Sequence, residues 1–150
     1  MIIVDSREKK WDHIRTYFER SGVPYKDRIK LDAGDYFNPD YPYVVIDRKS
    51  GFEEVCANLI PGKDNYHRFV KECRRAFKRR IRLVVLIESK YGKDTDVTKW
   101  KSRFSKCDGT WLLKEMKQVS TMYGVAWRFV EKERIAEEIL RITHYDNRGN

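Results

Sequence analysis

The sequence has no apolar run approaching the roughly 18–20 residues that a helix needs to cross a bilayer, so no membrane partner is expected. Its opening, MIIVDSREKK, lacks a basic start followed by a long apolar stretch. No secretory signal is expected, and the chain reads as intracellular, in cytoplasm or nucleoid, or in the nucleus of a eukaryote. Cysteine is scarce. Cys56, Cys73 and Cys107 lie far apart, without the close pairs of zinc sites, and an odd count predicts free thiols in a reducing compartment. Cys56 and Cys73 fall in apolar helical patterns and are expected to be buried as small hydrophobes. The three histidines, His13, His67 and His144, are scattered and have no metal-ligand spacing. No linker, repeat or low-complexity tract interrupts the chain, so residues 1–150 read as one domain.

Charge and aromatic rings are plentiful. Lys and Arg number 32 against 23 Asp and Glu, a formal net charge of +9 that suits a polyanionic partner, of which nucleic acid is the commonest. Four Trp, nine Tyr and seven Phe exclude a disordered chain.

Residues 2–4 read as a strand, after which Asp5 or Ser6 is expected to cap a helix carrying Trp11, Ile14 and Phe18 on one face. An extended segment over residues 23–31 follows, then a turn at Gly34 into residues 35–37. Residues 43–46, Tyr-Val-Val-Ile, form an apolar run that closes on Asp47, Arg48 and Lys49. Two helices are predicted over about 51–59 and 64–80, broken at Pro61-Gly62. Residues 83–87 form the strongest strand, 90–109 a polar loop or insertion, and two further helices at about 110–123 and 132–145 flank a strand at 125–130. This alternation predicts an α/β domain, a mixed central sheet with helices on both faces.

The chemistry concentrates at Gly34-Asp35 and Asp47-Arg48-Lys49. Phosphodiester hydrolysis needs a hard cation to polarise the phosphate and to acidify an attacking water. Mg²⁺ takes a few carboxylate oxygens and keeps several waters. Asp35 and Asp47 on neighbouring strands could share such an ion. Asp47 and Lys49, two apart on a strand, leave the same face, whereas Arg48 leaves the other. The alternative is a solvated strand end, but charged groups closing a buried strand rarely lack a partner or a task.

At these residues the sequence resembles a known family. Asp5-Ser6-Arg7-Glu8 after the first strand, Gly34-Asp35-Tyr36, and Ile46-Asp47-Arg48-Lys49-Ser50 look like the XPF-type structure-specific endonucleases of the PD-(D/E)XK superfamily. The similarity runs over most of residues 2–88. It implies a restriction-endonuclease-like fold and a DNA endonuclease acting at branched, flapped or forked sites. By the same resemblance Asp35 and Asp47 hold Mg²⁺, with Mn²⁺ as a substitute. Lys49 matches the catalytic lysine and Arg48 the essential arginine, while Asp5 matches an acid near the site. Arg7 and Glu8 match a block where a structural ion pair is equally expected. The chain departs from the pattern where Asp47 stands for Glu and Glu53 for the last Asp of the motif, and no tandem helix-hairpin-helix domain is expected within 150 residues. A homodimer through the nuclease domain is also implied.

Two basic regions are candidate DNA contacts. Residues 63–82 hold nine Lys or Arg against two acids, and Arg68, Lys71, Arg75 and Lys78 could meet phosphates or simply form a solvated helix face. In the 90–109 segment, Lys99, Lys101 and Arg103 could grip a backbone while Trp100 stacks on an unpaired base; otherwise Trp100 and Phe104 tuck under the loop. Two alternatives remain open: a non-catalytic nucleic-acid-binding partner of the same fold, and a nuclease acting on RNA or linear duplex.

Overall fold

The computed structural model describes residues 1–91 and 96–146. Six strands, β1 (Ile2–Asp5), β2 (Tyr25–Ile29), β3 (Tyr36–Phe37), β4 (Val44–Lys49), β5 (Arg82–Glu88) and β6 (Ala126–Val130), form one sheet in the order β2-β1-β3-β4-β5-β6. The short β3 runs antiparallel to β1 and β4; every other pairing is parallel. Among the described residues five helices cover the sheet: α1 (Asp12–Arg20), α2 (Phe52–Leu59), α3 (Asp64–Lys78), α4 (Gly109–Tyr123) and α5 (Ile135–Ile142). This is the mixed, helix-flanked architecture that the sequence predicts, with its elements in the predicted order.

The period-2 alternation of β4 and β5 divides the core in two. Val45, Val85 and Ile87 pack with α2, α3 and α4 through Val55, Phe69 and Leu112. Val44, Ile46, Val84 and Leu86 face the other way, against Trp11, Ile14 and Phe18 of α1 and Ile135 and Ile139 of α5. Both faces are covered, and for that reason these strands read as unbroken apolar runs.

Three expectations are corrected. α1 begins at Asp12, not after Asp5, because Asp5 closes β1 and its Oδ1 accepts from the Arg7 amide (2.8 Å); a turn with Lys10 at φ 52° then intervenes. β2 stops at Ile29, since the Leu31 amide donates to Asp5 Oδ2 (2.8 Å). Cys56 and Cys107, expected as free thiols, form a disulfide, their Cα atoms 6.7 Å apart across 51 residues of chain. Packing of α2 against the segment that leads into α4 brings them together, a contact that sequence spacing does not reveal. Cys73 is free and buried as expected. Among the described residues no helix is long and apolar enough to cross a membrane.

Candidate active site

Gly34 sets the geometry. Its φ is +76°, and a Cβ there would lie 2.4 Å from Val45 Cγ2 and 2.8 Å from the Ile46 carbonyl oxygen, so only glycine lets the chain pass this close to β4. The pass delivers Asp35 to the strand. Its amide donates to the Ile46 carbonyl (2.6 Å), and its Oδ2 accepts from the Arg48 amide (2.8 Å). Asp47 and Lys49 leave β4 on the same face as Val45, and Asp35, Asp47 and Lys49 line one cleft, as the spacing predicts.

Lys49 is buried, with Nζ 3.2 Å from Asp47 Oδ1, 4.0 Å from Glu54 Oε1 and 5.5 Å from the centre of the Phe69 ring. Burial opposes its charge, but the neighbouring carboxylates, Asp47 first and Glu54 next, raise its pKa above the ordinary value. The side chain is an ammonium at neutral pH. It can stabilise negative charge; it cannot take up a proton.

The acids show the opposite tension. Burial, then the charge of Asp47 and of Glu8, holds the Asp35 carboxyl well above the usual carboxylate range. Glu72, which α3 projects toward Asp47, is pushed up to about 9 by burial and by Asp47. Its Oε1 is buried and has no hydrogen-bond partner among the described residues. Carboxyls crowded with too little compensating charge attract a hard cation. Among the described residues no group of three or more His, Cys, Asp or Glu is disposed to hold a metal ion. Asp35 and Asp47 put two carboxylates in one cleft, and Mg²⁺ is an ion that takes a few carboxylate oxygens and keeps several waters.

The other catalytic candidates of the sequence, Arg48 and Asp5, also line the cleft, but their charged groups are engaged in ion pairs. Arg48 contributes to the cleft wall, but its guanidinium points through the opposite face, where Nε meets Glu8 Oε2 (2.9 Å), Nη1 meets Glu88 Oε1 (2.9 Å) and Nη2 donates to the Lys9 carbonyl (2.7 Å). The Asp5 carboxylate accepts from the Arg7 amide and guanidinium and from the Leu31 amide. Burial raises its pKa, but those bonds outweigh it and leave the carboxyl below its ordinary value. Asp5 makes a structural ion pair with Arg7, and Glu8 makes one with Arg48.

The cleft encloses about 870 Å³. Arg68, Lys71 and Arg75 of α3 line it, as do Lys9, Lys10 and Lys30; Lys78, exposed in the last turn of α3, lies outside the lining. In the insertion, Lys99, Lys101 and Arg103 are exposed, but Trp100 is not a surface ring. It is 9% exposed and packs against Phe52, with ring centroids 5.5 Å apart. Trp100 is therefore corrected to a core residue of the insertion, while Phe104, 84% exposed, is the aromatic side chain that faces water. Residues 92–95 of that predicted loop lie outside the described residues. Sequence reasoning missed Glu72, Glu54, Lys9, Lys10 and Lys30. For Glu72 a signal existed: it stands four residues after Arg68 and three before Arg75, on one helical face.

A model of the ERCC4 domain family matches residues 4–145. Among solved structures, the chain is similar to XPF from Aeropyrum pernix, with TM-score 0.67 and 18% identity over 98% of this chain and 66% of that one. It is likewise similar to XPF from Aeropyrum pernix in complex with DNA, with TM-score 0.65 and 18% identity over 98% of this chain and 68% of that one. At that identity the likeness is one of fold, and the chain spans about two thirds of the length of those proteins. No curated protein matches it in sequence.

Proposed function

The chain belongs to the ERCC4 domain family, and on that footing we propose that it is a divalent-metal-dependent endodeoxyribonuclease that hydrolyses phosphodiester bonds at branched, flapped or forked DNA. One observation carries the reading: Asp35, Asp47 and a charged, buried Lys49 line one cleft together with Arg68, Lys71, Arg75, Lys9, Lys10 and Lys30. The fold shared with an XPF protein solved in complex with DNA supports it.

Asp35 and Asp47 would hold Mg²⁺ or Mn²⁺, which when bound supplies a polarised phosphate oxygen and an acidified water. Lys49 stands beside Asp47 and stabilises the negative charge that develops on the phosphorus oxygens. Arg68, Lys71 and Arg75 hold backbone phosphates along α3. Arg48 acts from behind the sheet: by gripping Glu8 and the Lys9 carbonyl it positions Lys9 and Lys10. A homodimer through the nuclease domain, in an intracellular compartment, completes the proposal. The exposed Phe77, which packs on Tyr123, and the exposed Met122 are its candidate contact.

The test is a panel of linear, flap, fork and four-way DNA substrates under Mg²⁺ and Mn²⁺ titration. Cleavage should require the metal and should favour substrates with a branch. If the protein binds these DNAs but cuts none with any divalent ion, the proposal fails and a silent binding module takes its place.

A further inference from the structure

The strap formed by residues 99–107 stands on α2 away from the cleft. Glu53 and Cys56 anchor it on one side of that helix, while Glu54 and Asn58 line the cleft from another. Lys99, Lys101, Arg103 and Lys106 are exposed along it, and no acid lies between them. The two flanking carboxylates are engaged as caps: Asp96 accepts from the Thr98 amide and Asp108 from the Trp111 amide. Amid these cations the Phe104 ring is 84% exposed.

The strap is held firmly. Glu53 accepts from Ser102 Oγ (2.8 Å) and from the Arg103 amide (2.9 Å). Ser102 Oγ in turn accepts from the amides of Phe104 and Ser105, both at 3.1 Å. The disulfide ties Cys107 to α2, and a Cβ on Gly109 would come within 1.7 Å of the Val97 carbonyl oxygen. Trp100 fills the space beneath. A loose loop would fold an exposed phenyl ring under itself, but this strap pins its backbone so that the ring stays out.

We infer that the strap is a docking platform for an unpaired DNA strand, with Phe104 stacked on a base and Lys101, Arg103 and Lys106 on the adjacent phosphates. An exposed ring on a segment whose own charged residues are all basic suits a polyanion with exposed base faces. A paired duplex keeps its base faces stacked and offers Phe104 none. The inference rests on, and sharpens, the endonuclease reading, because it names the part of a fork that this chain would grip. The strap lies about one helix width, roughly 10 Å, from the cleft.

The test is binding in EDTA, where no cleavage is read. Fluorescence anisotropy compares a labelled twelve-nucleotide oligo-dT with a blunt duplex of equal length, for the wild type, Phe104→Ala and Phe104→Trp. Phe104→Ala should weaken oligo-dT binding roughly tenfold, the loss of one base stack, with duplex affinity and melting temperature unchanged. Phe104→Trp should keep the affinity, and its added emission should be quenched by oligo-dT. Equal oligo-dT affinity for Phe104→Ala and wild type overturns the platform, and so does an equal loss on both DNAs. A protein that cuts no DNA leaves this result untouched; one that cuts forks but shows no Phe104 effect loses only the platform.

Discussion

Asp47, Arg48 and Lys49 are consecutive, yet they end β4 in two different electrostatic worlds. Behind the sheet the charges are closed: Arg48 is saturated by Glu8, Glu88 and the Lys9 carbonyl, and Glu88 also meets His13 Nε2 at 2.8 Å. On the cleft side they are open. Burial and the charge of Asp47 push the carboxyls of Asp35 and Glu72 up from their ordinary values, and one Glu72 oxygen has no partner among the described residues. A closed cluster tells of folding, whereas an open one waits for a ligand. The alternation of one strand turns a single charged tripeptide into both.

The largest effects should come from the open side. Asp35→Asn or Lys49→Ala should lower cleavage of a forked substrate by roughly 10²–10³-fold or more, the usual cost of removing a preorganised electrostatic group. Binding of the same fork in EDTA should persist, because Arg68, Lys71 and Arg75 are untouched. If Lys49→Ala cuts within a factor of about ten of the wild type, the open cluster is not the chemical centre.

The closed side should break in a different currency. Arg48→Ala leaves Glu8, its side chain 8% exposed, without its ion-pair partner and Glu88, 9% exposed, with His13 alone. The expected loss is about 3–5 kcal/mol, or roughly 10 °C in melting temperature. Calorimetry checks it, and cleavage per folded molecule measured on Arg48→Lys separates support from chemistry. An Arg48→Ala protein that melts like the wild type but cannot cut would move Arg48 into the reacting group and erase the contrast drawn above.

Most of the architecture was legible, because two covered faces make β4 and β5 read as apolar runs and because a two-residue spacing puts Asp47 and Lys49 on one side. What escaped was long-range. Glu72 reads as a lone acid in a basic helix until α3 is laid against β4. Trp100 reads either as a stacking ring or as one tucked under its loop until Phe52 is placed beside it. The Cys56–Cys107 bond joins segments 51 residues apart, which no local pattern signals. Phe77, on the apolar stripe of its helix, is 57% exposed, which no local pattern signals.

The subtlest way to sharpen the comparison is pH. A carboxyl whose folded pKa stands above its unfolded value costs nothing at low pH, where both states are protonated. As pH rises past the unfolded value, the unfolded chain ionises first and gains, so the fold loses stability until the folded group ionises too. For Glu72 that window runs from its ordinary 4.5 to about 9, and Asp35 adds to the same slope. The metal-free protein should therefore melt lower at pH 8 than at pH 5. Glu72→Gln should flatten that decline and raise the melting temperature at pH 8 by several degrees, with no difference near pH 4.5. Substitution of Glu8 or Glu88 would lower stability instead, since those carboxylates already have Arg48. Should Glu72→Gln melt below the wild type at pH 8, the cleft would be as well compensated as the cluster behind it, and the division of β4 into an open and a closed side would fall.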